Sequence, residues 1–506
     1  LHLIGLDVGT SSTKALVVDD RGNPVGRASG EYPVSTPRPN WAEQDPDWWW
    51  NAARTAIAGA LKCSGVDPVD IAAVGLSGQM HGTVLVDRTL RSVRPAIIWM
   101  DGRSAAQCEE IRGRVGVERL AELTCNPVMP GFMAASLLWI LENEPRSLRR
   151  ARRALLPKDY VRLRLTGDAA TDVSDASSTL LFDVRRRRWS EALISTLGLS
   201  RDLFPEAYES PAVTGEVSGE AAAETGLRRG TPVVAGAGDS EAGAVGCGVT
   251  GPGVISSNIG TGGQLFAALD RVEVDRRLRV HTFCHAVPGR WHLQGAVLSA
   301  GLSLRWFAEN LGHLERLVGC LSGADPYDLL SQEAARAEPG CGGLVFLPYL
   351  SGERSPHMDP DARGVFFGLR LGHTRAHLVR AVMEGVVYAL RDCLEVFREL
   401  GVRVDRVVAR GGGAKSRVWL QIQADMYNAE VATVEAQEDA ALGAAVLAAV
   451  GAGVYRGVEE ACGEMVRFTE GVAPDPERAR IYDRYYREVY RHLYPSLRPF
   501  FTKHGN

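Results

Sequence analysis

The stretch Leu6-Asp7-Val8-Gly9-Thr10-Ser11-Ser12-Thr13-Lys14 decides how this chain is read. It lies between apolar runs at residues 2–6 and 15–18, and reads as strand, tight turn, strand. A turn rich in Gly, Ser and Thr offers backbone N–H groups and hydroxyls to an anion, and Lys14 adds a positive charge. Asp7 at the end of the first strand is placed to hold a metal ion, directly or through water. Together these groups suit the phosphates of Mg-ATP. The stretch is not a Walker A loop, because the Gly-Lys-Ser/Thr ending is missing and a strand rather than a helix follows. The plain alternative is an ordinary hairpin with a polar turn.

The pattern returns at Ser256-Ser257-Asn258-Ile259-Gly260-Thr261-Gly262-Gly263-Gln264-Leu265-Phe266. This echo suggests two related halves, each bringing a hairpin to a shared cleft. Glycine and proline cluster at 247–254, which places the halves at 1–247 and 248–506. A chain of 506 residues is too long for one core, so two large domains are expected.

Composition narrows the classes. With 45% hydrophobic and 23% charged residues the chain reads as a soluble globular protein. A net charge of -4 argues against a general nucleic-acid binder, and the arginine-rich runs at 146–153 and 185–188 read as solvated faces. The nine cysteines are scattered without a Cys-x-x-Cys pair, which fits a reducing compartment. No secretory signal is recognised, and the longest apolar stretch, 440–450, is too short to span a bilayer. A cytoplasmic location without membrane or nucleic-acid partners is expected.

Strands are expected at 71–76 and 96–99. Asp45-Pro46-Asp47 reads as a helix start, with the helix running to about 61. Further helices are expected after Asp101, at 132–143 ending before Glu144-Pro145, at 373–400, and at 476–494. The last carries Tyr482, Tyr486, Val489 and Leu493 on one stripe, a docking face on the body of the protein.

Three further constellations carry chemistry. In Val233-Val234-Ala235-Gly236-Ala237-Gly238-Asp239-Ser240-Glu241-Ala242, a buried strand runs through small residues into an acid at a helix start. Asp239 is the candidate general base; its plain alternative is a helix N-cap. Gly75-Leu76-Ser77-Gly78-Gln79-Met80-His81-Gly82 ends a strand with polar groups between glycines, which suits a small polar ligand. His81 either bonds a ligand hydroxyl or serves structure alone. Arg410-Gly411-Gly412-Gly413-Ala414-Lys415-Ser416 opens onto a helix and admits a nucleotide base or sugar. His281, Cys284, His285 and His292 lie on apparent strands, and no acidic or thiolate cluster completes a zinc set of four.

Taken in order, these pieces resemble the FGGY family of carbohydrate kinases nearly end to end. The resemblance rests on Trp41-x-Glu43-Gln44-Asp45-Pro46, Ser77-Gly78-Gln79-Met80-His81-Gly82 and Leu156-Pro157-Lys158-Asp159-Tyr160. It rests further on Pro348-Tyr349-Leu350-Ser351-Gly352-Glu353-Arg354-Ser355-Pro356-His357, Gly411-Gly412-Gly413-Ala414-Lys415-Ser416 and Ala441-Leu442-Gly443-Ala444-Ala445. The Gln-Met-His-Gly segment resembles the branch that phosphorylates D-xylulose.

The resemblance implies an α/β fold of two actin-like, RNase H-like domains, each a mixed sheet flanked by helices, around a deep cleft for ATP and sugar. It implies Asp239 as the base on the sugar's primary hydroxyl, and Asp7 as the acid that orients Mg²⁺, through water. Thr10, Ser11, Ser12 and Lys14 would hold the β- and γ-phosphates from one side and Gly260, Thr261 and Gly262 from the other. Met80, His81, Trp99 and Ser240 would meet the sugar. Gly301, Gly412 and Ala414 would border the adenosine. Many relatives form homodimers, and the C-terminal stripe could support one here.

Three positions depart from the family's pattern. Ser240 stands where Asn usually follows the base, Met100 stands where Asn or Gln often precedes Asp-x-Arg, and the second loop reads Gly-Thr-Gly-Gly rather than Gly-Thr-Ser. A kinase for ribulose, L-xylulose or an alditol is the nearest alternative, and an actin-type nucleotide switch a more distant one.

Overall fold

The computed structural model describes residues 1–436 and 438–502. Its first sheet begins as a meander of His2–Val8, Ser12–Asp19 and Pro24–Glu31. Ile71–Gly78 adds in parallel beside His2–Val8, and Pro232–Val234 and Val213–Glu216 complete that edge. The second sheet repeats the plan. Gly253–Ile259, Gly263–Leu269 and Trp291–Val297 are antiparallel, with His281–Cys284 beyond them. Val404–Arg410 adds in parallel beside Gly253–Ile259, followed by Glu430–Ala432. The sequence echo is therefore an echo of topology. Strands such as His2–Val8 are buried along most of their length because both sheet faces are covered, which is why they read as continuous apolar runs.

Helix Pro46–Ser64 starts at Asp45, whose carboxylate accepts the Asp47 N–H as a cap. Its Trp49, Ala53 and Ile57 pack on Ile4, Leu6 and Val17 of the first sheet. The opposite face of that sheet is covered by helix Asp439–Gly451, from far along the chain, through Ala441 and Ala445 against Leu3, Leu16 and Val18. The approach leaves no room for a side chain: a Cβ at Gly5 would sit 1.8 Å from the Ala441 carbonyl oxygen. Helix Asp239–Gly246 crosses Asp439–Gly451 and packs Ala244 with Phe266, Ala268 and Val408 of the second sheet. Each of the two crossing helices thus belongs by sequence to one half and covers the sheet of the other. Helix Arg375–Glu399 closes the second sheet's other face.

The structure adjusts some of these expectations and keeps others. The strand at 96–99 is only Ala96–Ile97; a turn closed by Asp101 N–H on the Ile98 carbonyl carries Trp99 and Met100 out, 39% and 52% exposed. Glu144-Pro145 does end helix Met133–Asn143, but Pro145 also starts helix Pro145–Arg150. The C-terminal helix runs as Pro476–Tyr485, a π-turn Tyr486–Tyr490, and Arg491–Phe501. Its stripe is Tyr482, Tyr486, Tyr490 and Leu493, with Val489 only partly buried, docked on the second domain's core. Tyr482 donates to Glu384 at 2.7 Å and Tyr486 to Asp392 at 2.6 Å. No helix among the described residues is long and apolar enough to cross a membrane. All nine cysteines are free.

Candidate active site

The first hairpin is tied from below. Gly9 N–H closes the turn on the Ser12 carbonyl, Tyr32 donates to the Gly9 carbonyl at 2.7 Å, and Gln44 donates to the Thr10 carbonyl at 2.7 Å. Gln79 donates to Gln44 at 2.9 Å and to the Gly9 carbonyl at 3.3 Å, so the segment before Met80 and His81 is bound to the same turn. Two distant motifs interlock above it: Arg103 clasps Asp101, reaches Glu43 at 2.7 Å, and lies over the Trp41 ring. Trp99 donates its indole N–H to the Thr10 hydroxyl at 3.0 Å, at the mouth of the site. Ser11 is exposed and Ser12 half-buried at the turn.

Asp7 is paired across the hairpin with Lys14. Burial, and then the neighbouring Asp239 carboxylate, push the Asp7 pKa to about 7; Lys14 opposes this and Asp439 adds to it. Lys14 itself is held by Glu438 at 2.7 Å. Asp439 pairs with Arg410 at 2.5 Å. Glu438 and Asp439 open the helix that covers the first sheet, so that helix brings two acids to the cleft.

Asp239 is the first residue of its helix, and Gly238 is the cap residue. Asp239 therefore stands one residue inside the N-cap position that the plain alternative gave it. Its described partner is the Ser240 hydroxyl, which donates to it at 3.3 Å. Burial raises its pKa to about 6 against the hydrogen bonds from Ser240 and the pull of Arg410. The backbone before it is anchored by a buried polar chain. Gly238 N–H donates to the Ser174 hydroxyl, Ser174 donates to Asp172, and Asp172 pairs with Lys158 at 2.8 Å. Lys158 also holds Asp159 at 2.6 Å and lies 3.6 Å from Asp175. Burial works against the lysine's charge, but the three acids outweigh it and hold its pKa above the ordinary value.

Met80 meets this segment directly: a Cβ at Gly238 would lie 2.9 Å from Met80 Cγ. His81 has a left-handed backbone, φ 69°, in a turn closed by Gly82 N–H on the Met80 carbonyl. Its Nδ1 bonds the Ser178 carbonyl at 3.0 Å and its ring stacks on Phe132 at 3.9 Å. Burial lowers its pKa to about 3, so the ring is neutral and Nδ1 carries the proton. Nε2 makes no hydrogen bond among the described residues and is left to accept one from a hydroxyl. The structural reading of His81 is met by these contacts, and Nε2 stays open.

The second hairpin is tied to helix Gly301–Asn310. Gly301 N–H donates to the Gly260 carbonyl and Ala300 N–H to the Thr261 carbonyl. A Cβ at Gly301 would lie 2.3 Å from the Gly260 carbonyl oxygen, so this junction needs glycine. Gly260, Thr261, Gly301 and Gly412 line one cavity of about 550 Å³. Ala414 does not line it and packs against the second domain's core instead. Lys415 of the glycine-rich segment lines it too, as do Arg305, Tyr327 and Asp328, which nothing in the sequence singled out. Gly262 lies outside that lining, in the turn itself.

The candidate zinc histidines are otherwise engaged. His281 bonds Asn126, His285 bonds the Val249 carbonyl, and His292 stacks on Phe266. Among the described residues no three His, Cys, Asp or Glu side chains converge to cage a metal. Asp7 still fits a single-carboxylate contact to Mg²⁺: it offers a hard oxygen donor, and the carboxylates that raise its pKa leave a local excess of negative charge.

Residues 2–246 match the N-terminal domain of the FGGY carbohydrate kinases and residues 255–452 match the C-terminal domain. The chain belongs to this family. A xylulose kinase from Escherichia coli K12 is 39% identical over 98% of this chain and 99% of its own length. The crystal structure of a xylulose kinase from Rhodospirillum rubrum is 34% identical, covers 99% of this chain and 100% of its own, and superposes with a TM-score of 0.90. A gluconokinase from Bacillus subtilis is 30% identical over 95% of this chain and 93% of its own.

As an FGGY chain it carries three residues at the cleft to which the sequence reading gave no role: Asp439, Arg410 and Gln264. Arg410 and Gln264 stood inside recognised segments and Asp439 just before one, but nothing local marks Arg410 and Asp439 as a pair 29 positions apart that faces Asp7 and Asp239.

Proposed function

We propose that this chain transfers the γ-phosphoryl group of ATP to the primary hydroxyl, O5, of D-xylulose. The observation that carries the reading is the half-buried carboxylate of Asp239, with a pKa of about 6, at the start of its helix beside the Met80–His81 segment and Asp7. At neutral pH it is ionised yet basic enough to take the hydroxyl proton as the O–P bond forms. His81 Nε2 accepts from a sugar hydroxyl, and Trp99 covers the apolar face of the polyol. Lys14, Thr10, Ser11 and Ser12 grip the phosphates from one side, and the backbone of Gly260–Gly262 from the other. Adenosine occupies the cavity bordered by Gly301 and Gly412. Mg²⁺ carried on ATP, met by Asp7, would offset charge on the β- and γ-phosphates. Closure of the two domains would exclude water that would otherwise accept the phosphoryl group.

The substrate assignment leans on the xylulose kinases among the relatives. Ser240 favours a second reading, a different sugar in the same chemistry, and the gluconokinase relative has comparable coverage. ADP release from Mg-ATP with D-xylulose, D-ribulose, L-xylulose, L-ribulose, xylitol or gluconate decides between them. Stimulation by D-xylulose above the others is expected. Stimulation by another member keeps the mechanism and moves the substrate, and stimulation by none overturns the kinase reading.

A further inference from the structure

Ser240, the residue after the base, carries a short, half-buried side chain, and a partner reaches it from the other domain. Gln264, on strand Gly263–Leu269 immediately after the second hairpin's turn, donates its amide N–H to the Ser240 hydroxyl at 3.0 Å. Ser240 in turn donates to Asp239 at 3.3 Å. The two bonds are complementary. The amide occupies a lone pair of the serine oxygen, which leaves the hydroxyl proton to point at the carboxylate.

The placement follows from the sheet. Gln264 and Phe266 alternate onto one face of their strand, and across the ladder Gln264 faces Ala296 while Phe266 faces Gln294. That face receives the first turns of helix Asp239–Gly246. Ser240 meets Gln264, Glu241 lies 3.4 Å from His292, and Ala244 packs with Phe266. The amide oxygen of Gln264 makes no hydrogen bond among the described residues, so the side chain keeps one acceptor free next to the base.

We propose that Gln264 is a specificity-determining residue of this kinase. It supplies from the nucleotide-binding half the amide that the residue after the base does not, accepts a hydroxyl of the sugar through Oε1, and orients Ser240 against Asp239. The inference rests on the kinase reading above. Its consequence is that recognition of the sugar is shared across the cleft: the strand that leaves the phosphate-gripping turn also touches the acceptor.

The test is a steady-state comparison of the intact wild-type enzyme with Gln264→Leu and Gln264→Met, each alone and combined with Ser240→Asn, using the sugar that stimulates the wild type best. Loss of one neutral hydrogen bond to substrate raises KM for the sugar about 3- to 10-fold, while KM for ATP moves by less than about twofold. Ser240→Asn in the Gln264→Leu background recovers part of the sugar KM, because the amide returns from the other side. Unfolding midpoints of the variants keep folding separate from recognition, and methionine serves if leucine does not fold. An unchanged sugar KM in both single variants, or an equal rise for ATP and sugar, overturns the inference while leaving the kinase reading standing. A wild type that no sugar stimulates overturns the kinase reading itself.

Discussion

The two hairpins at the cleft share a fold and differ in charge. In the first, Asp7 faces Lys14 across the ladder; in the second, at the same distance from the Gly-Thr turn, Asn258 faces Gln264. Each acidic or basic side chain of one is an amide in the other. The strand beside each reverses the contrast, with neutral Ser77 next to Asp7 and cationic Arg410 next to Asn258. A duplicated scaffold has therefore been divided between two tasks. The first hairpin holds ionised groups where charge must be managed, and the second offers backbone N–H groups and amides where shape and hydrogen bonding suffice. The crossing helices complete the division, because Glu438 and Asp439 carry acids back to the first hairpin's side.

This contrast can be broken by exchanging the chemistries. Asp7→Asn gives the first hairpin the polarity of the second, and kcat is expected to fall about 10²- to 10³-fold, the scale of losing one preorganised electrostatic group. A loss below about tenfold would mean that charge at this position is dispensable. Lys14→Met follows: KM for ATP is expected to rise about 10-fold or more, as for a charge-assisted hydrogen bond, and the rise should shrink as salt is added. Thr261→Val on the neutral hairpin should raise KM for ATP only about threefold, with little salt dependence. Equal effects of Lys14→Met and Thr261→Val would erase the division.

The charged side should also cost stability, with a defined sign. The Asp7 pKa is raised from 3.8 to about 7 in the folded chain, so folding favours its protonated form. That contribution is fully present below about 3.8 and is lost as pH rises through 7. Asp7→Asn should therefore raise the unfolding midpoint by a few degrees at pH 8, with the gain vanishing near pH 4. A gain that is equal at both pH values would contradict the raised pKa of Asp7.

Local chemistry made much of this legible in the sequence. The hairpins were readable because a Gly-Thr turn between apolar runs is a short-range signal, and the helix at Pro46 was readable because Asp45, directly before it, caps the N–H two residues on. Asp239 stood out as an acid at the end of a small-residue strand. The pairings that give these residues their environment were not readable. Lys158 collects Asp172 and Asp175 from another element, Arg410 collects Asp439, and Gln264 reaches Ser240 across the domain boundary. Each depends on packing between segments far apart in the chain, for which no spacing rule exists. Trp99 failed differently. It follows three buried residues and continues their apolar run, but Asp101 is committed to Ala42 and Arg103, and that commitment turns the chain outward.

The central claim is that Asp239 takes the acceptor's proton. The most direct measurement is the pH profile of sugar-dependent turnover for wild type and Asp239→Asn, with nucleotide affinity measured in parallel. The account predicts an acid limb near pH 6 in the wild type, a loss of at least about 10²-fold in the variant, and nearly unchanged ATP binding. Turnover in Asp239→Asn close to the wild-type rate would contradict it.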